Sequence, residues 1–139
     1  MKKILTLILV LVFCSSVAFA GSVNSYDKYG SKTGSYRTNG STTTSYDKYG
    51  AKTSSYKTKG NTTTSYDKYG AKTGTYKKNG NTTTQYDKYG AKVGTYKTNS
   101  NGVTTSYDKY GRKTGSYKTD SSGRTVKYNK YGQKTGSYR

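Results

Sequence analysis

Lysine and tyrosine are the residue types in this chain whose number and spacing predict a chemical role. The sequence has 25 lysines and arginines against six acidic residues, with eighteen tyrosines interleaved among them. Ammonium groups attract phosphate and uronate groups, and aromatic rings stack on bases and sugars. The candidate binding residues are therefore the recurring Tyr46, Lys48, Lys52, Tyr56, Tyr66, Lys68, Lys72, Tyr76, Tyr86, Lys88, Lys92, Tyr96, Lys109 and Lys113.

Catalytic and metal chemistry is excluded by the residue types that are missing. The chain has no histidine, and its single cysteine is Cys14. All six acidic residues are aspartates, and five of them recur once per repeat at a turn position, where Asp bonds the turn backbone. The nucleophile–base pairs and the histidine or cysteine metal sets are absent. We predict no enzyme activity, no metal site and no cofactor.

The first twenty residues have the pattern of a secretory signal peptide. Lys2 and Lys3 precede an apolar run from Ile4 to Phe13, and Ala18-Phe19-Ala20 resembles a signal-peptidase site. We expect cleavage after Ala20, which removes Cys14 and leaves residues 21–139 with a net charge of +17. The mature protein is expected to be secreted, periplasmic or associated with the outer surface.

Residues 21–139 divide into six tandem units of 20 or 21 residues, each a doubled decapeptide with Tyr at its start and Gly near its middle. Few aliphatic residues are present, a composition that by itself favours disorder. Short repeats that cannot fold alone can nevertheless stack on copies of themselves. We therefore predict a folded all-β repeat array in which tyrosine replaces the aliphatic core, with a disordered chain as the alternative.

The repeats predict strands joined by tight turns. Thr42-Thr43-Thr44-Ser45-Tyr46 is β-branched and aromatic, and Asp47-Lys48-Tyr49-Gly50 is typical of a type I turn closed by a left-handed glycine. Asn39-Gly40 is a hairpin dipeptide. Longer units carry their extra residue within segments 99–102 and 120–123, which we therefore predict to be loops.

Three-residue loops at every turn predict a specific register. Tyr46 then pairs with Lys52, Thr44 with Ser54, and Thr42 with Tyr56, and after the next turn Tyr56 pairs with Thr62. This register places Tyr46 and Tyr56 on one face, with Lys52 beside the Tyr46 ring in a candidate cation–π pair. An antiparallel meander of about a dozen strands is favoured over a β-solenoid, because solenoid coils stack equivalent lysines about 4.8 Å apart.

Segment 60–70, Gly-Asn-Thr-Thr-Thr-Ser-Tyr-Asp-Lys-Tyr-Gly, resembles the YD repeat of RHS-type bacterial surface and toxin proteins. The match recurs through the last five units and partially in the first. The resemblance implies exported β-hairpin strips, in that family often concerned with carbohydrate or with enclosing a toxin. Ala71-Lys72-Thr73 stands where that family has a leucine-like residue, and the chain is too short to enclose a toxin. Its size and tandem units also resemble curli-type subunits, whose Gln and Asn ladders are missing here.

The sequence thus predicts an exported bacterial repeat protein that binds anionic surfaces or polymers through its lysine and tyrosine faces. The candidate partners are lipopolysaccharide, teichoic acid, acidic glycan and extracellular DNA. A lysine-rich surface that only maintains solubility is the simplest competing explanation. Two further alternatives remain, a self-assembling, curli-like matrix subunit and a disordered Tyr/Lys-rich adhesive. Either alternative allows self-association.

Overall fold

The computed structural model describes residues 21–139, and the predicted signal peptide, residues 1–20, lies outside them. Twelve antiparallel strands follow one another in a meander. The strands are β1 Gly21–Asp27, β2 Lys32–Asn39, β3 Thr42–Asp47, β4 Lys52–Lys59, β5 Thr62–Asp67, β6 Lys72–Asn79, β7 Thr82–Asp87, β8 Lys92–Thr98, β9 Val103–Asp108, β10 Lys113–Thr119, β11 Thr125–Asn129 and β12 Lys134–Tyr138. The predicted all-β meander is confirmed. Residues 21–139 include no helix long and apolar enough to cross a membrane.

The meander closes on itself, which the sequence analysis did not predict. Strand β12 pairs with β1 through Gly136↔Asp27, the same register that joins successive repeats, as in Gly34↔Asp47. Asn24 and Arg139 add two backbone hydrogen bonds at this junction, with N···O distances of 2.7 and 3.0 Å. All six junctions between repeats are therefore equivalent, and the described chain forms a closed barrel.

The Asp-Lys-Tyr-Gly turns have the predicted form. The Gly50 N–H donates to the Asp47 carbonyl at 3.1 Å, and Gly50 has a φ of +87°, a left-handed conformation that glycine adopts without strain. The Asp47 Oδ1 accepts backbone N–H groups from Tyr49 and Ala51, both at 2.9 Å. The aspartate is thus part of the turn itself.

The turns at the other end of the barrel differ in length but keep the register. Lys59↔Thr62 leaves a two-residue loop, whereas Asn99 and Val103 close a three-residue loop. The next threonine pair inward is the same in both cases: the Oγ1–Oγ1 distance is 2.9 Å for Thr58–Thr63, and Thr98–Thr104 forms the same contact. The extra residue is therefore confined to the loop, as predicted.

The predicted register is correct at the turn and wrong beyond it. Tyr46 pairs with Lys52, but the next pair is Ser45↔Ser54, so Thr53 is an extra residue in a β-bulge. Thr44 consequently pairs with Ser55, and Tyr56 pairs with Thr43 and, on its other side, with Ser65. A shift of one residue exchanges the faces of a strand, so Tyr46 and Tyr56 lie on opposite faces of the sheet.

The bulge recurs at the Asp or Asn turn of every repeat and accounts for the closure. A bulge bends and twists its strand, and six equivalent bulges curve the sheet in one direction. Ser45 pairs with Ser54, and Ser54 pairs with Asp67, which lies two residues beyond Ser65, the equivalent of Ser45 in the next repeat. Each repeat is therefore displaced by two residues along the strand direction relative to the preceding one. Six such steps give about twelve residues of stagger over twelve strands, which suits the 35–45° strand tilt of closed barrels.

Tyrosine rings and hydroxyl groups form the barrel interior, as the scarcity of aliphatic residues predicted. The rings belong to the one tyrosine in each even-numbered strand, and five of them are buried: Tyr56, Tyr76, Tyr96, Tyr117 and Tyr138. Between them, serine and threonine hydroxyls from neighbouring strands bond one another, as Ser45 Oγ and Thr53 Oγ1 do at 2.6 Å. Among residues 21–139, no buried side-chain polar atom lacks a hydrogen-bond partner, which makes a polar core tolerable.

Candidate functional site

Six exposed tyrosines lie at one end of the barrel, because every second turn of a meander falls at the same end. They lie in turns 27–30, 47–50, 67–70, 87–90, 108–111 and 129–132, and we call these turns, with the two residues that follow each of them, the aromatic rim. The rim tyrosines keep 71–84% of their surface exposed, and they are Tyr29, Tyr49, Tyr69, Tyr89, Tyr110 and Tyr131. An exposed aromatic ring in every repeat is a surface available for stacking.

Each rim tyrosine carries a cation from the residue before it. The Lys48 and Lys68 Nζ atoms both lie 4.8 Å from the centroid of the following tyrosine ring. The same contact occurs in all six turns, at 4.7–4.9 Å. Exposed cation–π contacts contribute about 0.5–1 kcal/mol each. Charge and ring are therefore presented together as one unit, repeated six times.

A second set of lysines begins the strand after each rim turn. These lysines are exposed, and they are Lys32, Lys52, Lys72, Lys92, Lys113 and Lys134. With the turn lysines and Arg112, they give the rim thirteen cations against five aspartates. Adjacent strands lie about 4.8 Å apart, so neighbouring rim turns are separated by about 10 Å. The rim is a regular ring of positive charge.

The rim aspartates are engaged by their own turns. At Asp108, Oδ1 accepts the Tyr110 and Arg112 backbone N–H groups, while Oδ2 lies 2.7 Å from the Arg112 Nε. The Arg112 backbone N–H is the largest factor that lowers the pKa of the Asp108 carboxyl. Asn129 accepts the equivalent backbone bonds through an uncharged side chain. The acidic residues therefore shape the turns, in agreement with the predicted role.

The outer wall carries a second series of half-buried tyrosines, and five of them lie beneath a cation from a neighbouring segment of the chain. The Arg37 guanidinium lies 5.4 Å from the Tyr46 ring centroid, and the Lys57 Nζ lies 5.8 Å from that of Tyr66. Equivalent contacts are Lys77–Tyr86, Lys97–Tyr107 and Arg139–Tyr26. Lys52 lies opposite Tyr46 as predicted, but the cation over that ring comes from Arg37.

The structure divides the predicted binding residues among three locations. The rim carries Lys48, Lys52, Lys68, Lys72, Lys88, Lys92, Lys109 and Lys113, and the wall carries Tyr46, Tyr66 and Tyr86. The other three tyrosines lie in the interior with 2–4% of their surface exposed, namely Tyr56, Tyr76 and Tyr96. They have no ring face open to an external ligand, so the structure corrects their assignment to that of core residues.

Sequence reasoning missed the rim tyrosines themselves. The available signal was their position: Tyr49 is the third residue of an Asp-x-x-Gly turn, a place where small polar residues predominate. A side chain at the apex of a two-strand turn projects away from the sheet and cannot reach the core. A tyrosine there in every repeat has no packing role to explain it.

The opposite end of the barrel has a different chemical character. Its turns, in segments 39–42, 59–62, 79–82, 99–103 and 120–124, consist mainly of small polar residues and contain no aromatic residue. The charged residues in these segments are Lys59, Asp120 and Arg124. A recess of about 430 Å³ lies there, lined by the 122–125 loop together with Val23, Tyr138 and Arg139. The barrel therefore has one end rich in aromatic and basic residues and one end formed mainly by small polar residues.

Two interior side chains break the repeat symmetry. Gln85 and Lys127 occupy the position that is serine in the other four repeats, and the Tyr96 hydroxyl donates to the Gln85 Oε1 at 3.3 Å. The Lys127 Nζ lies 5.9 Å from the Tyr117 ring centroid, and burial lowers the pKa of this lysine. A smaller cavity of about 150 Å³ lies beside Ser25 and Ser45, the serines that occupy this position in the first two repeats.

Comparison with known proteins yields no match, either to a protein-family model or to a curated protein. The described residues also contain no group of three histidine, cysteine or acidic side chains placed to hold a metal ion.

Proposed function

We propose that this protein is exported and binds anionic surfaces or polymers through repeated lysine–tyrosine units. The observation that carries the proposal is the aromatic rim, where six turns each present an exposed ring with a lysine ammonium over it. Anionic groups are attracted to the ammonium groups, and a sugar or base stacks on the ring beside them. The candidate ligands are lipopolysaccharide, teichoic acid, acidic glycan and extracellular DNA.

The excess of cations and the exposed rings on the rim are more than solubility requires. A mixture of charges keeps a sheet soluble, whereas here cations outnumber aspartates thirteen to five at one end. Burying exposed tyrosines would stabilise the fold, yet each rim ring keeps at least 71% of its surface exposed. Exposed aromatic and basic residues combined in this way are typical of surfaces that bind polyanions.

The self-assembling alternative is disfavoured by the closure. A subunit that templates strand addition needs an unpaired strand edge, and β1 and β12 pair with each other. The resemblance to YD repeats supports the proposal only in a general way, since it adds carbohydrate as a class of partner. Rim tyrosines and lysines act on the folded barrel and do not require assembly.

Binding assays with single and multiple variants test the proposal. Heparin, lipopolysaccharide and single-stranded DNA are titrated from about 50 to about 500 mM salt, where a polyelectrolyte interaction weakens steeply. Lys68→Ala alone should change the affinity less than about twofold, because eleven equivalent rim lysines remain. Replacing all six turn lysines by glutamine should weaken binding by a factor of about 100 or more at low salt.

Tyrosine provides the salt-independent part of the interaction. Replacing Tyr49, Tyr69 and Tyr89 by serine should cost about 1–3 kcal/mol for each ring that stacks on a base, without changing the salt dependence. If the protein binds none of the three polymers at the lowest salt, the proposal is refuted and the lysines serve only as solubilising groups.

A further inference from the structure

We propose that the aromatic rim docks the barrel end-on against the headgroup surface of an anionic lipid bilayer. This inference rests on the proposed function and specifies its partner and its orientation. The two ends of the barrel differ: one presents six tyrosines and thirteen cations, and the turns at the other present no aromatic ring and two cations, Lys59 and Arg124. Binding a polymer along the wall has no need of such a difference, whereas docking on a surface requires that one end be distinct.

The dimensions of the rim match a planar partner. Neighbouring rim turns are about 10 Å apart, and six of them around a twelve-stranded barrel span an end roughly 20–25 Å wide. A single flexible polymer chain can cross only part of such a ring at one time. A flat array of anionic headgroups meets all six turns together, so each turn adds to the attachment. The geometry thus favours a bilayer surface over an extended chain.

The chemistry of each rim turn also matches the membrane interface. Tyrosine has an apolar ring and a polar hydroxyl, and it concentrates at the headgroup level of bilayers. The Lys68 Nζ lies 4.8 Å from the Tyr69 ring centroid, so ring and cation reach the interface as neighbours. The ammonium is attracted to lipid phosphates while the ring enters the boundary between headgroups and acyl chains. The Lys48–Tyr49 turn repeats this arrangement, with the same distance.

The turns at the opposite end have no aromatic ring, and their only cations are Lys59 and Arg124. Asn81 is exposed in a two-residue loop between Asn79 and Thr82, with no ring and no cation in the loop. A bilayer therefore gains neither aromatic insertion nor comparable charge from contact with that end. The orientation with the rim toward the lipid follows from this contrast.

Single tryptophan reporters test the orientation, because the chain has no tryptophan of its own. Tyr69→Trp places the reporter on the rim, and the matched variant Asn81→Trp places it on an exposed turn at the other end. The probes are phosphatidylcholine vesicles with and without about 30 mol% phosphatidylglycerol, some of which carry brominated acyl chains that quench tryptophan. Heparin binding by the same two preparations is measured as a control.

The expected result has two parts. Both variants should bind the anionic vesicles at least about tenfold more tightly than the neutral ones. Brominated lipid should then remove about half or more of the Tyr69→Trp fluorescence and leave that of Asn81→Trp nearly unchanged.

Failures of the two proposals can be distinguished. Heparin binding without vesicle binding would overturn the bilayer inference and leave the proposed function intact. Equal quenching of the two reporters would overturn the end-on orientation. Absence of binding to both heparin and vesicles would overturn the proposed function as well.

Discussion

The three tyrosines of each repeat occupy three different environments. Tyr76 is 2% exposed in the interior, Tyr66 lies half-buried beneath Lys57 on the wall, and Tyr69 is 83% exposed on the rim. Burial of an aromatic ring stabilises a fold by several kilocalories per mole, whereas an exposed ring contributes little. Only the interior tyrosines are expected to be essential for stability.

Truncation of single tyrosines checks this division. Tyr76→Ala should lower the free energy of unfolding by about 3–5 kcal/mol, because it leaves a cavity among buried rings. Tyr69→Ala should lower it by at most about 1 kcal/mol, since only the exposed contact with Lys68 is lost. Urea unfolding measures both values. Equal costs for the two variants would show that the interior assignment is wrong.

The interior tyrosines also predict how stability depends on pH. Burial raises the pKa of Tyr56 to about 12 and raises those of Tyr36, Tyr76 and Tyr96 as well. Above pH 10 the unfolded chain loses these protons while the folded barrel retains them, so stability falls as the pH rises. Each such tyrosine removes about 1.4 kcal/mol per pH unit.

Urea midpoints between about pH 8 and pH 11.5 measure this loss, and the ultraviolet absorbance of tyrosinate follows the ionisation directly. We expect the interior tyrosines to ionise together with unfolding. Tyr76→Phe is the control, and its stability should fall less steeply with pH because one ionising group has been removed. Complete ionisation of all tyrosines in a barrel that remains folded would contradict the prediction.

The aspartate at the start of a rim turn stabilises that turn by accepting hydrogen bonds from its backbone. Asp67 Oδ1 accepts the N–H groups of Tyr69 and Ala71, both at 2.9 Å. Asp67→Ala should cost about 0.5–1.5 kcal/mol, because both donors lose their acceptor. Asp67→Asn should cost less than about 0.5 kcal/mol, since Asn129 makes the same bonds in the last repeat. Thermal unfolding compares the two variants, and equal losses would show that charge matters more than turn geometry.

The strands and turns could be predicted from the sequence because their causes are local. Thr42 to Tyr46 favours a strand by composition, and the Asp47 and Gly50 positions specify their turn. The faces could not be predicted, because no local feature of the sequence marks Thr53 as the extra residue of a β-bulge. That one residue moves Tyr56 from the predicted surface to the core.

Closure likewise lies beyond local information. The last pairing, Gly136↔Asp27, joins strands that are more than one hundred residues apart. It forms because the bulge stagger accumulates over six repeats until the last repeat meets the first in the same register. The aromatic rim depends on this closure, since an open meander would spread its turns along a line.

Removal of the last strand tests whether closure of the barrel keeps the protein monomeric. A chain ending at Gly132 lacks β12 and leaves β1 and β11 with unpaired edges. Exposed edges promote pairing between molecules, so this variant should associate and bind thioflavin, while the full chain stays monomeric. Size-exclusion chromatography and thioflavin fluorescence compare the two proteins. Rapid fibre formation by the full chain would instead support the matrix-subunit alternative.

The salt dependence of affinity for single-stranded DNA shows whether the rim lysines contact a polyanion. The rim variant replaces Lys48, Lys68 and Lys88 by glutamine, and the matched control replaces Lys59, Lys118 and Arg124, near the other end of the barrel. Each phosphate contact contributes about −0.7 to the log–log slope, so the rim variant should have a slope shallower by about 2, and the control slope should be nearly unchanged. Equal changes in both variants, or an affinity that does not respond to salt, would contradict a polyanion-binding rim.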